Sequence, residues 1–177
     1  MLTPDQLAAA LGIQLSLASR WAVPISDACD EFGIDTPARI AAFLAQIGHE
    51  SGRLRYTREI WGPTPAQLRY EGRADLGNVM PGDGKRFLGR GLIQITGRAN
   101  YNAAGMALDL PLCEQPELLE QPGNAARSAA WFWSKHGLNE LADAGDFERI
   151  TRRINGGLNG QAERLALYSA ATEALAA

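Results

Sequence analysis

Ile40, Phe43, Leu44 and Ile47 fall three and four residues apart, the interval that stacks side chains on one face of an α-helix. This stripe constrains the chain more than any other feature, because an apolar helical face has to be covered by neighbouring elements. The next position on it is Glu50, where another hydrophobe is expected, with His49 and Ser51 beside the acid and Gly52 ending the run. Two readings of Glu50 are open. Partly out of water beside apolar side chains, a carboxyl disfavours its charged form and becomes a general-acid candidate, able to hold a proton near neutral pH for a leaving group. Alternatively, Glu50 stands in solvent at a frayed helix end.

Other elements also read as helices. Thr3-Pro4, Thr36-Pro37 and Thr64-Pro65 each place a capping hydroxyl before a proline at the first helical position. Leu17, Trp21, Ile25 and Cys29 give helical spacing from Ser16 to Phe32, with a break or kink expected at Pro24. Asn124 to His136 is rich in Ala and Trp, Asp146 can cap a helix that Gly156 stops, and Asn159 to Ala176 reads as the last helix. Between Gly72 and Gly97 the pattern changes to seven glycines, a Pro81-Gly82 turn and the alternating run Leu92-Ile93-Gln94-Ile95-Thr96, which suggests loop with a small sheet. The expected class is mainly α, as one domain over residues 1–177, without repeats or an evident linker.

Composition narrows the function. A net charge of −3 gives no chain-wide case for a nucleic-acid partner, although Arg53, Arg55 and Arg58 cluster after Glu50. Cys29 and Cys113 cannot form the framework of a small disulfide-stapled domain and are expected to be free thiols. The first residues lack a basic, apolar leader and no later stretch reaches ~18 apolar residues. The expectation is a protein made in the cytoplasm, without stable membrane insertion, that needs release to reach any substrate outside. His49 and His136 are the only histidines, too few for the ligand cluster of a metal-dependent amidase or peptidase. No metal or other cofactor is expected.

Nine residues after Glu50 comes Glu59, beyond the helix end at Gly52. Hydrolysis of a glycosidic bond with inversion uses one protonated carboxyl and one carboxylate roughly 6.5–9.5 Å apart, the second activating a water. Acids on separate elements suit that separation; Glu59 paired with Arg55 or Arg58 in solvent is the alternative. Alternation from Leu92 to Thr96 projects Gln94 and Thr96 to one side, where an amide and a hydroxyl would suit sugar hydroxyls and a water, unless this is an edge strand with a polar outer face. Asn155 ends one helix and Arg164 lies in the next, as a cleft pair or as a helix stop and a surface charge. Trp61 and Trp131 read as core.

The strings Ala45-Gln46-Ile47-Gly48-His49-Glu50-Ser51-Gly52, Gly89-Arg90-Gly91-Leu92-Ile93-Gln94-Ile95-Thr96-Gly97 and Ile154-Asn155-Gly156-Gly157, in this order, resemble glycoside hydrolase family 19. Together with Pro81 to Phe87 they look more like its bacteriophage and prophage endolysins than its secreted plant chitinases. The resemblance implies a lysozyme-like, α-rich domain whose cleft, lined by a small β or loop segment, binds a β-1,4 aminosugar polymer. It also implies inversion, with Glu50 as general acid, Glu59 as general base and Thr96 holding the attacking water. By motif position His49, Gln94, Asn100, Tyr101, Asn155 and Arg164 line the cleft or support the acids. Glu71, 21 residues after Glu50, is a rival base at the spacing of the plant enzymes. The reading is a monomeric endolysin that cuts peptidoglycan between N-acetylmuramic acid and N-acetylglucosamine. A chitinase, a lytic transglycosylase and a non-catalytic glycan-binding domain are the alternatives.

Overall fold

A computed structural model of the chain describes residues 1–176. Ten α-helices are present among them: α1 (Pro4–Leu11), α2 (Leu15–Glu31), α3 (Pro37–Glu50), α4 (Pro65–Leu68), α5 (Asp83–Arg86), α6 (Arg98–Leu108), α7 (Pro122–Lys135), α8 (Leu138–Asp143), α9 (Phe147–Asn155) and α10 (Gln161–Ala176). Three of the starts are where the threonines place them. Thr3, Thr36 and Thr64 accept from the backbone N–H three residues on, and Gln6 and Gln67 complete capping boxes at the first and third. Of the break or kink expected at Pro24, the break does not occur: α2 runs through it. Proline removes one ladder hydrogen bond, while burial of Trp21, Ile25, Ala28 and Cys29 on the same helix opposes that loss.

α3 differs from the one-sided helix that its stripe suggests. Every residue from Ala41 to Gly48 is buried, because α10, α1 and α8 pack around it. The alanines let those neighbours approach, and Phe43 meets Trp133 of α7 edge-on at 5.5 Å, a pairing worth roughly 0.5–1.5 kcal/mol beyond its buried area. Both ends leave this core, and at the C-terminal end His49 and Glu50 emerge half-buried from the enclosed middle of the helix. Directly after them Gly52, Arg53 and Leu54 adopt left-handed backbone, with φ of 59°, 61° and 62°. Such conformations cost L-residues about 1–2 kcal/mol each. Burial of Leu54 and the Ser51 hydroxyl, which accepts from Leu54 N at 2.8 Å, hold the turn in place.

A second, smaller cluster contains Phe87, Ile95, Tyr101, Ala104, Leu112 and Leu119, and Phe132 packs against both clusters. Above it the segment from Arg58 to Gly97 is mostly loop. The expected strand at 92–96 is absent: only isolated bridges join Arg58 to Arg90 and Arg90 to Ile95. Gly91 to Gln94 wind into a turn between Arg90 and Ile95, which exchange backbone hydrogen bonds of 3.1 and 2.8 Å.

Asp83 locks this layer to α6. It is 1% exposed, accepts from Met80 N at 3.0 Å and takes both arms of the Arg98 guanidinium. The Arg98 hydrogen bonds hold the Asp83 carboxyl below its ordinary value. A carboxyl lowered in this way contributes stability above its unfolded value of about 3.9, and that contribution is lost as pH falls through the native value. Asp83→Asn is therefore expected to lower the melting temperature at pH 7, with the gap to wild type closing below about pH 3.9. Thermal scans across that range check it; a gap independent of pH would remove the ion pair as the cause.

Candidate active site

Glu50 does not rest on an apolar shelf alone. Arg164, 1% exposed in α10, donates to Glu50 Oε1 through one arm and to Gln46 Oε1 through the other. Arg164 Nε donates to Asn159 O at 3.2 Å. Gln46 is fully buried and passes the chain on, its Nε2 donating to Thr151 Oγ1 at 3.0 Å. The surface-charge reading of Arg164 is thus overturned: its guanidinium lies behind the acid, as a support and not as a group that touches substrate. Among the described residues Glu50 Oε2 makes no hydrogen bond, which leaves that oxygen available for a ligand. His49 stands beside it with Nδ1 2.7 Å from Glu163 Oε2. Its ring approaches Gly160, where φ is 72° and a β-carbon would sit 2.2 Å from Cε1, so this position requires glycine.

Glu59 is held from three directions. Oε1 accepts from Gln67 Nε2 at 2.9 Å and Tyr70 OH at 3.3 Å, and Oε2 accepts from Gly89 N at 3.1 Å. Arg58 reaches instead toward Glu120 at 4.0 Å, so the solvent ion pair expected as the alternative for Glu59 does not form with it. Burial, followed by the Glu59 carboxylate, holds the Tyr70 phenol above its ordinary value, which keeps it a neutral donor. The Gln67 amide has a double task. Its oxygen accepts from Thr64 N and Gly62 N while its nitrogen serves Glu59 and Ile60 O, so the cap of α4 also orients the acid.

Gly89 connects Glu59 with the third group. On its open side a β-carbon would meet Gln94 Oε1 at 2.7 Å and Thr96 Oγ1 at 3.3 Å, so only glycine lets that backbone lie between the acid and these two side chains. Gln94 has φ of 60°, and Thr96 Oγ1 donates to Gln94 O at 3.0 Å. Gln94 and Thr96 do share a side, as expected, although the wound turn places them there and not strand alternation. With Asn100, whose Nδ2 donates to Thr96 O at 2.8 Å, they line a hollow of about 270 Å³. Neither this hollow nor a larger one of about 390 Å³ between α6 and Asp109 to Glu114 is lined by Glu50 or Glu59.

Tyr101 is corrected from the substrate-binding group. It is fully buried, donates to Leu88 O at 2.6 Å and accepts from Arg90 Nη1 at 3.0 Å, supporting the Arg90 turn from below. Burial pushes its phenol up to about 12. Asn155 is half-buried at the end of α9, with Nδ2 enclosed and unpaired among the described residues. Glu71 holds backbone: Oε1 accepts from Gly82 N and Oε2 from Gly84 N at 2.6 and 2.8 Å. Trp61 and Trp131 are half-buried, unlike the enclosed Trp133. Cys29 and Cys113 are free thiols as expected, and burial pushes the Cys29 thiol up to about 12.

Four further groups belong to the site. The pairing of Gln46 with Thr151 and Arg164 has no local signal, because it spans 105 and 118 residues. Gln67 was findable: Thr64-Pro65-Ala66-Gln67 is a capping-box pattern. Tyr70 lies one turn beyond it.

The family model described as "Chitinase class I", that of glycoside hydrolase family 19, matches residues 28–143. The chain belongs to glycoside hydrolase family 19. A Haemophilus influenzae protein described as containing a glycosyl hydrolase family 19 domain is 36% identical over 176 residues, covering 82% of this chain and 84% of that protein. An Arabidopsis thaliana endochitinase, At2g43610, is 44% identical over 119 residues, covering 67% of this chain; the match spans only 39% of the plant protein. Chitinase C from Streptomyces griseus superposes with a TM-score of 0.80 at 24% identity, over 99% of this chain and 76% of that one. A bacterial family 19 chitinase gives 0.80 at 25% identity, over 98% and 94%. This family 19 chain thus has the lysozyme-like, mainly α fold of those chitinases, and it is a glycoside hydrolase.

Proposed function

We propose that this family 19 enzyme hydrolyses the β-1,4 bond between N-acetylmuramic acid and N-acetylglucosamine in peptidoglycan, in the manner of the phage endolysins its motifs resemble. Glu50 is the general acid, Glu59 the general base and Thr96 the hydroxyl that holds the water. The observation that carries this reading is the difference between the two carboxyls. Glu59 receives three hydrogen bonds, from a backbone amide, a side-chain amide and a phenol, which fix both of its oxygens. Glu50 is fixed through one oxygen only, with Oε2 left for the leaving group.

The reaction proceeds in one displacement. Water attacks the anomeric carbon from the Glu59 side and gives its proton to Glu59, while the bond to the leaving oxygen breaks and that oxygen takes the proton of Glu50. Thr96 already donates its hydroxyl hydrogen to Gln94 O, so toward the water it presents lone pairs. The new chain end carries the inverted configuration. Both acids return to their starting states by proton exchange with solvent.

Chitin is the second reading, favoured by the chitinases among the relatives. Incubation with purified peptidoglycan and with chitin oligomers, followed by mass spectrometry of the fragments, tests both. New reducing muramic acid ends are the expected result, 1,6-anhydro ends would make the enzyme a lytic transglycosylase, and cleavage of chitin oligomers alone would reassign the substrate.

A further inference from the structure

One wall of the hollow that holds Gln94, Thr96 and Asn100 is the last turn of α7, which contributes Trp131, Lys135 and His136. The Lys135 ammonium lies 4.8 Å from the centroid of the Trp131 ring. That cation–π contact holds a long, exposed side chain over the ring at the rim of the hollow. Ile93, Ile95 and Ile154 supply apolar lining, and no Asp or Glu lines it. Just beyond, Arg153 Nη1 donates to His136 O. Arg153 and Glu140 flank Gly137, each 3.4 Å from where its β-carbon would sit, so Lys135 is the one charged side chain that lines the hollow itself, in a chain whose net charge is −3.

A polymer of N-acetylglucosamine alone is uncharged and has no use for such a rim. N-Acetylmuramic acid differs from it by a lactyl ether whose carboxyl, free or extended as a peptide, brings at least one negative charge. We propose that this hollow is a subsite for a carboxylate-bearing aminosugar, and that Lys135, steadied by Trp131, is its specificity-determining residue. The inference rests on the glycan-cleaving reading and adds the place and the residue that select a charged sugar. A cation in the last turn of α7 also complements the helix dipole. If that were its whole role, replacing it would alter stability and leave sugar preference unchanged.

The test is calorimetric titration of the full chain with two disaccharides, N-acetylglucosaminyl-N-acetylmuramyl dipeptide and diacetylchitobiose. Wild type is expected to bind the charged disaccharide at least about fivefold more tightly, the scale of one partly screened ion pair. The preference should shrink as ionic strength rises from ~0.01 to ~0.5 M. Lys135→Glu and Lys135→Gln should abolish the preference while leaving chitobiose affinity unchanged, which also shows that the variants are folded, and Lys135→Arg should keep it. Equal affinity of wild type for the two disaccharides, or equal weakening of both by Lys135→Glu, would overturn the proposal. Because binding is read without turnover, a preference that persists in a protein releasing no new ends from peptidoglycan would fault the cleavage reading and spare the subsite.

Discussion

Glu50→Gln is expected to lower kcat by at least ~10²-fold on whichever polymer the enzyme cuts, since the amide removes the transferable proton and keeps the shape. The amide oxygen can still accept from Arg164, so the fold should survive, and circular dichroism provides the control. Near-normal turnover by this variant would remove Glu50 from its role. Gln46→Leu makes an informative companion because it never touches substrate. It strips Arg164 of its second partner and Thr151 of its donor, unmet bonds that cost about 1–3 kcal/mol of stability. If Gln46 only fills space, the variant melts earlier and turns over normally. If it aims Arg164 at the acid, kcat falls while KM holds, because the loss is felt in the transition state.

Glu59→Gln should be comparably damaging, about 10²- to 10⁴-fold in kcat, because a neutral amide cannot take the proton of the attacking water. Glu71→Gln supplies the contrast. Both oxygens of Glu71 are occupied by the amides of Gly82 and Gly84, and a glutamine can accept through only one of them. The variant should lose about 1–2 kcal/mol of stability with kcat reduced tenfold or less. Parallel kinetics and thermal melts of the two variants separate a base from a brace. The reverse ranking, with Glu71→Gln inactive and Glu59→Gln active, would move the base to the loop at Gly82.

The parts of this fold that were legible in the sequence are those set within one helical turn. Thr3, Thr36 and Thr64 fix helix starts because a cap and its partner lie three residues apart. The acid at the end of α3 was likewise visible as an interruption of its own stripe. Contacts across the chain were not. Gln46 looks like a polar residue on an ordinary amphipathic helix until α9 and α10 close over it, 105 and 118 residues away. Arg164 looks like a surface cation for the same reason. The run from Leu92 to Thr96 misled in a different way: strand-like alternation is a statement about pairing partners, and here the ladder stops after two bridges, with Gln94 turned left-handed. Tyr101 was assigned to the cleft by motif position alone, but its hydroxyl is spent on the Leu88 carbonyl.

The left-handed turn after Glu50 has a mechanical consequence. Ser51 O accepts from the amides of Arg55 and Tyr56, and a few residues on, Thr57 O and Glu59 N are bonded to the backbone of Gly91 and Gly89. The nine-residue span between the carboxyls is therefore clamped near both ends and works as a gauge block. Lengthening it by even one residue would throw the second carboxyl out of register with the first, whereas the exposed stretch from Gly72 to Asp75 lies outside the gauge.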